Sequence, residues 1–280
     1  MRVGEYEIFT IETSRFALDG GAMFGVVPQS LWRKTNPPDE LNRIEMVTRS
    51  LLIVGGEKKI LVDTGNSPKM SQKLKDIYKI DTTSTNLISS LQKQNITPGD
   101  ITDVILTHLH FDHAGGSTYN DAGIFKPTFP NAKYYVQKEH WNWALNPTDR
   151  DRASFFKEDF LPLKEFGVLE LVEGEFELFP GINLILLNGH TAMQQIPKIS
   201  DGKSTVLFCA DLVPMSSHIP LPFIMGYDLQ PLVTLEEKRK IMVPAYEEKW
   251  TLVFEHDPKV LAATIASNEK GFGVGEVIRF

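Results

Sequence analysis

Five short apolar runs in this chain each end in a histidine or an aspartate. Residues 60–62 (Ile-Leu-Val) run into Asp63, 104–106 run through Thr107 into His108, and 184–187 run through Asn188 and Gly189 into His190. Residues 206–210 run directly into Asp211, and 252–254 run through Glu255 into His256. Short apolar runs bounded by polar residues read as buried strands. Between them the pattern predicts helices over 67–78, 86–94 and 235–248. The last begins after Thr234 with Glu237 three residues on, the spacing of a capping box. It places Leu235, Ile241, Met242, Ala245 and Tyr246 on one face, as a helix packed on a sheet would. His140, Trp141 and Trp143 fall on a further amphipathic helix. Strands alternating with helices give an α/β class, and strands of one sheet can deliver their C-terminal ends to a common edge, where loops carry chemistry.

Composition narrows the picture. With 280 residues, 42% hydrophobic and 23% charged, the chain can bury a core, and without repeats or linkers one domain over 1–280 is expected. The net charge of −7 argues against an extended nucleic-acid footprint. No apolar run approaches a membrane span, and the opening MRVGEYEIFT lacks the apolar stretch of a secretory signal. Cys209 is the single cysteine, which suits a reducing compartment and reads as a packing residue. A cytoplasmic globular protein with no nucleic-acid or membrane partner is expected.

The chemistry concentrates in THLHFDHAGG at 107–116, where His108, His110 and His113 stand with Asp112 among a total of seven histidines. Imidazoles so close repel one another if protonated and waste hydrogen-bonding capacity if buried neutral. A divalent cation resolves both problems, because neutral imidazole and carboxylate are its natural ligands. One ion cannot easily take all four side chains of so short a loop. The expectation is therefore two ions, His108 and His110 facing one, Asp112 and His113 the other. His190 is assigned to the first ion, His256 to the second, and Asp211 bridges them. Asp63, left without an ion, orients a ligand or the loop. Gly115 and Gly116 let backbone turn closely behind the loop. The donor set suits zinc, and also iron, cobalt or manganese. The apolar, Pro-interrupted segment 214–227 reads as a pocket wall, with His218 and Tyr227 as its polar contacts.

His-x-His-x-Asp-His followed by a distant His, Asp and His resembles the metallo-β-lactamase superfamily. The resemblance runs from the VDTG turn at 62–65 to His256 and implies an αβ/βα sandwich of two mixed β-sheets flanked by helices. LDGGAMFGVVP at 18–28, NGHT at 188–191 and ADLVP at 210–214 are similar to quorum-quenching N-acyl-homoserine lactonases, in particular the YtnP-type branch. That resemblance implies a dinuclear-metal lactonase whose partner is a small-molecule substrate, a lactone or ester. A metal-bridging hydroxide would open the ring, Asp112 would assist as a catalytic group, and Met23 and Phe24 would form a lip that receives an acyl chain. It leaves a homodimer open. Two departures accompany it. Gln194 stands where many members have a second histidine after His190, and Pro214 stands where the best-known lactonases carry a tyrosine. A phosphotriesterase-like hydrolase and, from another class, a mononuclear-iron persulfide dioxygenase are the competing readings.

Overall fold

The computed structural model describes residues 1–280. The chain divides into two compact units, Met1–Arg15 with Thr48–Gly174, and Phe16–Val47 with Glu175–Phe280. The predicted α/β class with two mixed sheets and flanking helices is what the chain adopts. No helix is long and apolar enough to cross a membrane.

The first sheet has the order β1-β2-β3-β4-β5-β8-β9. Its strands are β1 (Arg2–Val3), β2 (Tyr6–Asp19), β3 (Arg43–Gly55), β4 (Lys58–Val62), β5 (Asp103–Ile105), β8 (Lys133–Gln137) and β9 (Leu169–Val172). A separate hairpin is formed by β6 (Thr118–Asp121) and β7 (Ile124–Pro127). The strands β4, β5, β8 and β9 are mutually parallel, so Asp63 after β4 and Thr107–His108 after β5 emerge at the same edge. Parallel strands need both faces covered, which accounts for the unbroken apolar runs. Leu61, Val104, Tyr134 and Val136 pack with Leu91, Trp141 and Phe160 in one buried cluster.

Of the predicted helices in this unit, 67–78 shortens to Gln72–Ile77. Pro68 disfavours helix at the preceding residue, and the Ser67 N–H is committed to the Phe111 carbonyl at 3.1 Å. The helix expected over 86–94 runs Leu87–Gln92, with the Asn86 side chain accepting from the Ser89 N–H at 2.9 Å.

The second sheet has the order β10-β11-β12-β13-β14-β15-β16. Its strands are β10 (Glu177–Phe179), β11 (Ile182–Leu187), β12 (Gln194–Ser200), β13 (Thr205–Phe208), β14 (Thr251–Val253), β15 (Ala262–Asn268) and β16 (Gly271–Ile278). Two successive antiparallel pairings make β11 run the same way as β13, and β13 is parallel to β14. The segments after β11, β13 and β14 therefore leave from one edge. These segments carry His190, Asp211 and His256.

The helix predicted from Leu235 instead starts four residues earlier, as Pro231–Glu247, with Pro at its first position. Proline is tolerated there because that N–H has no intrahelical partner. Thr234 is therefore inside the helix, and the capping box expected with Glu237 does not form. The Glu237 carboxylate accepts from the N–H groups of Asn188 at 2.6 Å and Gly189 at 3.0 Å. Of the predicted apolar face, Ile241, Met242 and Ala245 are buried, whereas Tyr246 is exposed and Lys238 is fully buried.

Candidate functional site

In the first unit the loop after β5 folds back on itself: the N–H groups of His113 and Ala114 both donate to the His110 carbonyl, at 3.1 and 2.9 Å. The turn is clamped from behind, because the N–H groups of Thr64 and Gly65 donate to the His113 carbonyl at 2.7 and 3.1 Å. A Cβ on Gly115 would collide with the Ser67 backbone nitrogen, and one on Gly116 with the Thr64 carbonyl oxygen. The glycine pair is thus required by the closeness of two backbone segments.

This packing brings Asp63, His108, His110, Asp112 and His113 together, all buried. Asp63 Oδ1 accepts from the Thr107 N–H at 2.7 Å, and Oδ2 from the Thr107 hydroxyl at 2.6 Å. Asp63 Oδ2 also lies 3.0 Å from His113 Nδ1. Paired with a carboxylate, Nδ1 carries the proton and Nε2 is left as the ligating nitrogen. Asp112 Oδ1 lies 3.9 Å from that Nε2. His108 Nε2 stands 2.9 Å from His110 Nδ1, and the Thr107 hydroxyl is 3.1 Å from His108 Nδ1.

Two supports of this loop were not legible in the sequence. His140, placed on its helix as predicted (Lys138–Leu145), accepts the Leu109 N–H on Nε2 at 2.8 Å. It therefore pins the residue between His108 and His110 and carries its own proton on Nδ1. Behind the glycine turn, the Lys69 ammonium donates to the carbonyls of Gly115 and Thr118, both at 2.7 Å. It also pairs with the fully buried Asp159 at 2.9 Å, whose Oδ1 accepts from the Ser67 hydroxyl at 2.7 Å.

In the second unit Asp211 lies between two imidazoles. Its Oδ2 is 3.0 Å from His190 Nε2 and its Oδ1 is 3.2 Å from His256 Nε2. Both rings are oriented from their far side. His190 Nδ1 pairs with Asp228 Oδ1, and His256 Nδ1 donates to the Val47 carbonyl, each at 2.9 Å. Burial by itself lowers the His190 pKa, but the Asp211 and Asp228 carboxylates outweigh it and raise it to about 10. A ring held between two acids demands positive charge. A divalent ion on Nε2 satisfies the same demand as a proton, so the donor set fits a metal. Asp228, 38 residues from His190 in sequence, carried no local signal.

Met23 and Phe24, expected as a lip, pack inward in the second unit. The Phe24 ring is stacked between Trp32 (centroids 5.3 Å apart) and His218 (4.5 Å). His218 Nε2 donates to the Met23 carbonyl at 2.8 Å, and burial pushes its pKa down to about 4, so the ring is neutral. The Gly226 N–H donates to the Ala22 carbonyl at 2.8 Å. Gly25, at φ +56°, sits where a Cβ would be 2.6 Å from the Ile224 carbonyl oxygen. Segments 19–25 and 214–227, read separately in the sequence, are thus packed on each other. Tyr227 is exposed, and Leu221, Phe223 and Ile224 are half-buried. Pro214 is buried, and its carbonyl accepts the His256 N–H at 2.9 Å.

Comparison with known proteins agrees with this architecture. Residues 44–255 match the metallo-beta-lactamase superfamily, and the chain belongs to that family. It is similar to the N-acyl homoserine lactonase AiiA of Bacillus thuringiensis subsp. kurstaki, with 27% identity over 179 residues, 63% of this chain. The chain spans 64% of the length of that relative. An N-acyl homoserine lactonase of Bacillus cereus is 24% identical over 229 residues, covering 77% of this chain and 83% of its own. Among solved structures, a probable metal-dependent hydrolase from Staphylococcus aureus shares 28% identity and a TM-score of 0.88 over the whole of both chains. AidC, a dizinc quorum-quenching lactonase, shares the fold with a TM-score of 0.82 at 22% identity, over 100% of this chain and 97% of its own.

Proposed function

We propose that this chain is a metal-dependent hydrolase with a dinuclear centre that opens N-acyl-homoserine lactones or similar lactone rings. The observation that carries the reading is the Asp211 carboxylate, which turns one oxygen to His190 Nε2 and the other to His256 Nε2. One ion would be held by His108, His110, His190 and Asp211, and the other by Asp112, His113, His256 and Asp211, within a single domain. Two such ions, when bound, would lower the pKa of a water and polarise a carbonyl. Zinc suits this nitrogen and oxygen donor set, as do iron, cobalt and manganese.

The protein's own groups do the positioning. Asp63 sets the proton on His113 Nδ1, Asp228 does the same for His190, and the Val47 carbonyl for His256. Asp112, in the same loop, would carry a proton to the leaving alkoxide. The 19–25 and 214–227 segments, pinned to one another, would form an apolar wall for the acyl side of the substrate, with Tyr227 as its exposed polar group. Relatives named as N-acyl homoserine lactonases support the lactone as substrate.

The test is metal quantification on the purified protein, followed by kcat/KM on a panel of lactones, paraoxon and a thioester. Two ions per chain are expected, with lactone opening lost to a chelator and restored by zinc, cobalt or manganese. Faster turnover of paraoxon than of any lactone would replace this reading by a phosphotriesterase. A single iron with oxygen uptake on a persulfide would replace it by a dioxygenase.

A further inference from the structure

Lys238 stands in the middle of the helix Pro231–Glu247 and is fully buried. A lysine is almost never so placed unless its head is satisfied. Its Nζ donates to four backbone carbonyls of one loop: His218 at 2.6 Å, Pro220 and Phe223 at 2.9 Å, and Leu221 at 3.4 Å. All four partners are acceptors. An ammonium offers them three protons, whereas a neutral amine would turn its lone pair on an oxygen. The ring of carbonyls therefore favours the charged form, against the burial that pulls the Lys238 pKa down to about 7.

The loop thus held has little regular structure of its own. Within it the Ile219 N–H reaches the Ser216 carbonyl at 3.2 Å and the Phe223 N–H the Pro220 carbonyl at 3.0 Å. Pro220 and Pro222 have no N–H to contribute. Four carbonyls of this one short segment face the Lys238 ammonium, while its Leu221, Phe223 and Ile224 stay half-buried. The same loop carries His218, which grips Met23 and stacks on Phe24. One ammonium therefore sets the shape of two segments.

We propose that Lys238 is a positioning residue for the substrate: it holds the 218–223 loop, and through His218 the 19–25 segment, in the shape that receives the acyl side. The proposal rests on the reading of these segments as the substrate wall, given above. The test compares the unmodified, metal-loaded protein with K238M, which keeps the length and bulk of the side chain and removes the charge. Two measurements are made: backbone amide exchange over 216–226, and kinetics on γ-butyrolactone and on a long-chain N-acyl-homoserine lactone.

The expected result is exchange at least tenfold faster over 216–226 in K238M. KM for the long-chain lactone should rise at least tenfold, while KM for γ-butyrolactone changes less than twofold. Unchanged exchange overturns the proposal, and so does an equal loss on both lactones. Faster exchange with no change in KM would overturn the link to substrate and the reading of the wall with it. An unmodified protein without lactone activity would sink the functional reading alone, and exchange would still decide whether Lys238 holds the loop. Should K238M not fold, a nitrogen-15 lysine spectrum of the unmodified protein serves instead. It should show two slowly exchanging Nζ signals, from Lys69 and Lys238, each assigned by its cross-peaks to neighbouring residues, and the absence of the Lys238 signal would refute its role.

Discussion

Replacing Asp63 by asparagine changes one atom and, by the geometry of the first unit, moves a proton two bonds away. Asp63 accepts three hydrogen bonds, from the Thr107 N–H, the Thr107 hydroxyl and His113 Nδ1. In D63N the carboxamide oxygen can keep the Thr107 N–H, but the amino group now faces the Thr107 hydroxyl and His113. The hydroxyl can rotate. The imidazole answers by becoming an acceptor at Nδ1 and carrying its proton on Nε2. That atom is the one proposed to hold metal, so ligation must first undo the new bond. Hydrogen bonds to a charged group contribute about 1.5–3 kcal/mol each, and groups that orient a ligand typically account for about 10–100-fold in metal affinity. D63N should therefore bind metal about 10–100-fold more weakly, or about 1.4–2.7 kcal/mol, measured by competition with a chromophoric chelator. Its metal-free form should lose only about 1–3 kcal/mol in urea unfolding, because two of the three bonds can re-form in altered sense. Nitrogen-15 spectra of the histidines should show the His113 proton on Nε2. An affinity within twofold of the unmodified protein, or His113 still protonated at Nδ1, would refute the tautomer argument.

Three other outcomes follow from buried groups. K69M removes the partner of the fully buried Asp159 and should destabilise the fold by about 3–5 kcal/mol, read by urea denaturation. Burial raises the Asp159 pKa even beside Lys69, and the loss of the ammonium raises it further. The native state then binds more protons than the unfolded chain, so K69M should lose stability as pH rises from the ordinary carboxylate value through the Asp159 pKa, over a wider pH range than the unmodified protein. For His218 the sign is reversed: its pKa falls from 6.5 to about 4 on folding. Between those values the unfolded chain binds the extra proton, so acidification should remove about 3 kcal/mol of stability. H218Q should flatten that acid limb in guanidinium titrations at fixed pH steps. G115A should fail to accumulate as folded protein or melt far below the unmodified chain, because its Cβ falls on the Ser67 backbone; a melting temperature within a few degrees would refute the close-packing argument.

What could be read from the chain and what could not divide along a physical line. Strand runs that end in histidine or aspartate were legible because β4, β5, β13 and β14 each have a parallel neighbour and are buried, which favours an unbroken apolar run closed by a polar residue. β11, antiparallel to both neighbours, shows the same ending. The mutual direction of β4 and β5, and of β11, β13 and β14, then delivers those ends to common edges. Helix existence was legible from period and caps, but helix starts were not. Pro231 could open its helix ahead of Thr234, and Ser67 was drawn out of helix by a tertiary bond to the Phe111 carbonyl.

Local order along the chain determined the α/β class, the strand ends and the crowding of imidazoles at 108–113, since each depends on spacing between near neighbours. Tertiary structure alone decided which group holds each ring: Asp228 for His190, the Val47 carbonyl for His256, and His140 for the Leu109 amide. It also decided that Lys238, polar by composition, is among the most buried residues of its helix. A hydrogen bond is set by distance in space within a few tenths of an ångström, and partners 31 to 209 residues apart leave no periodic trace in a sequence.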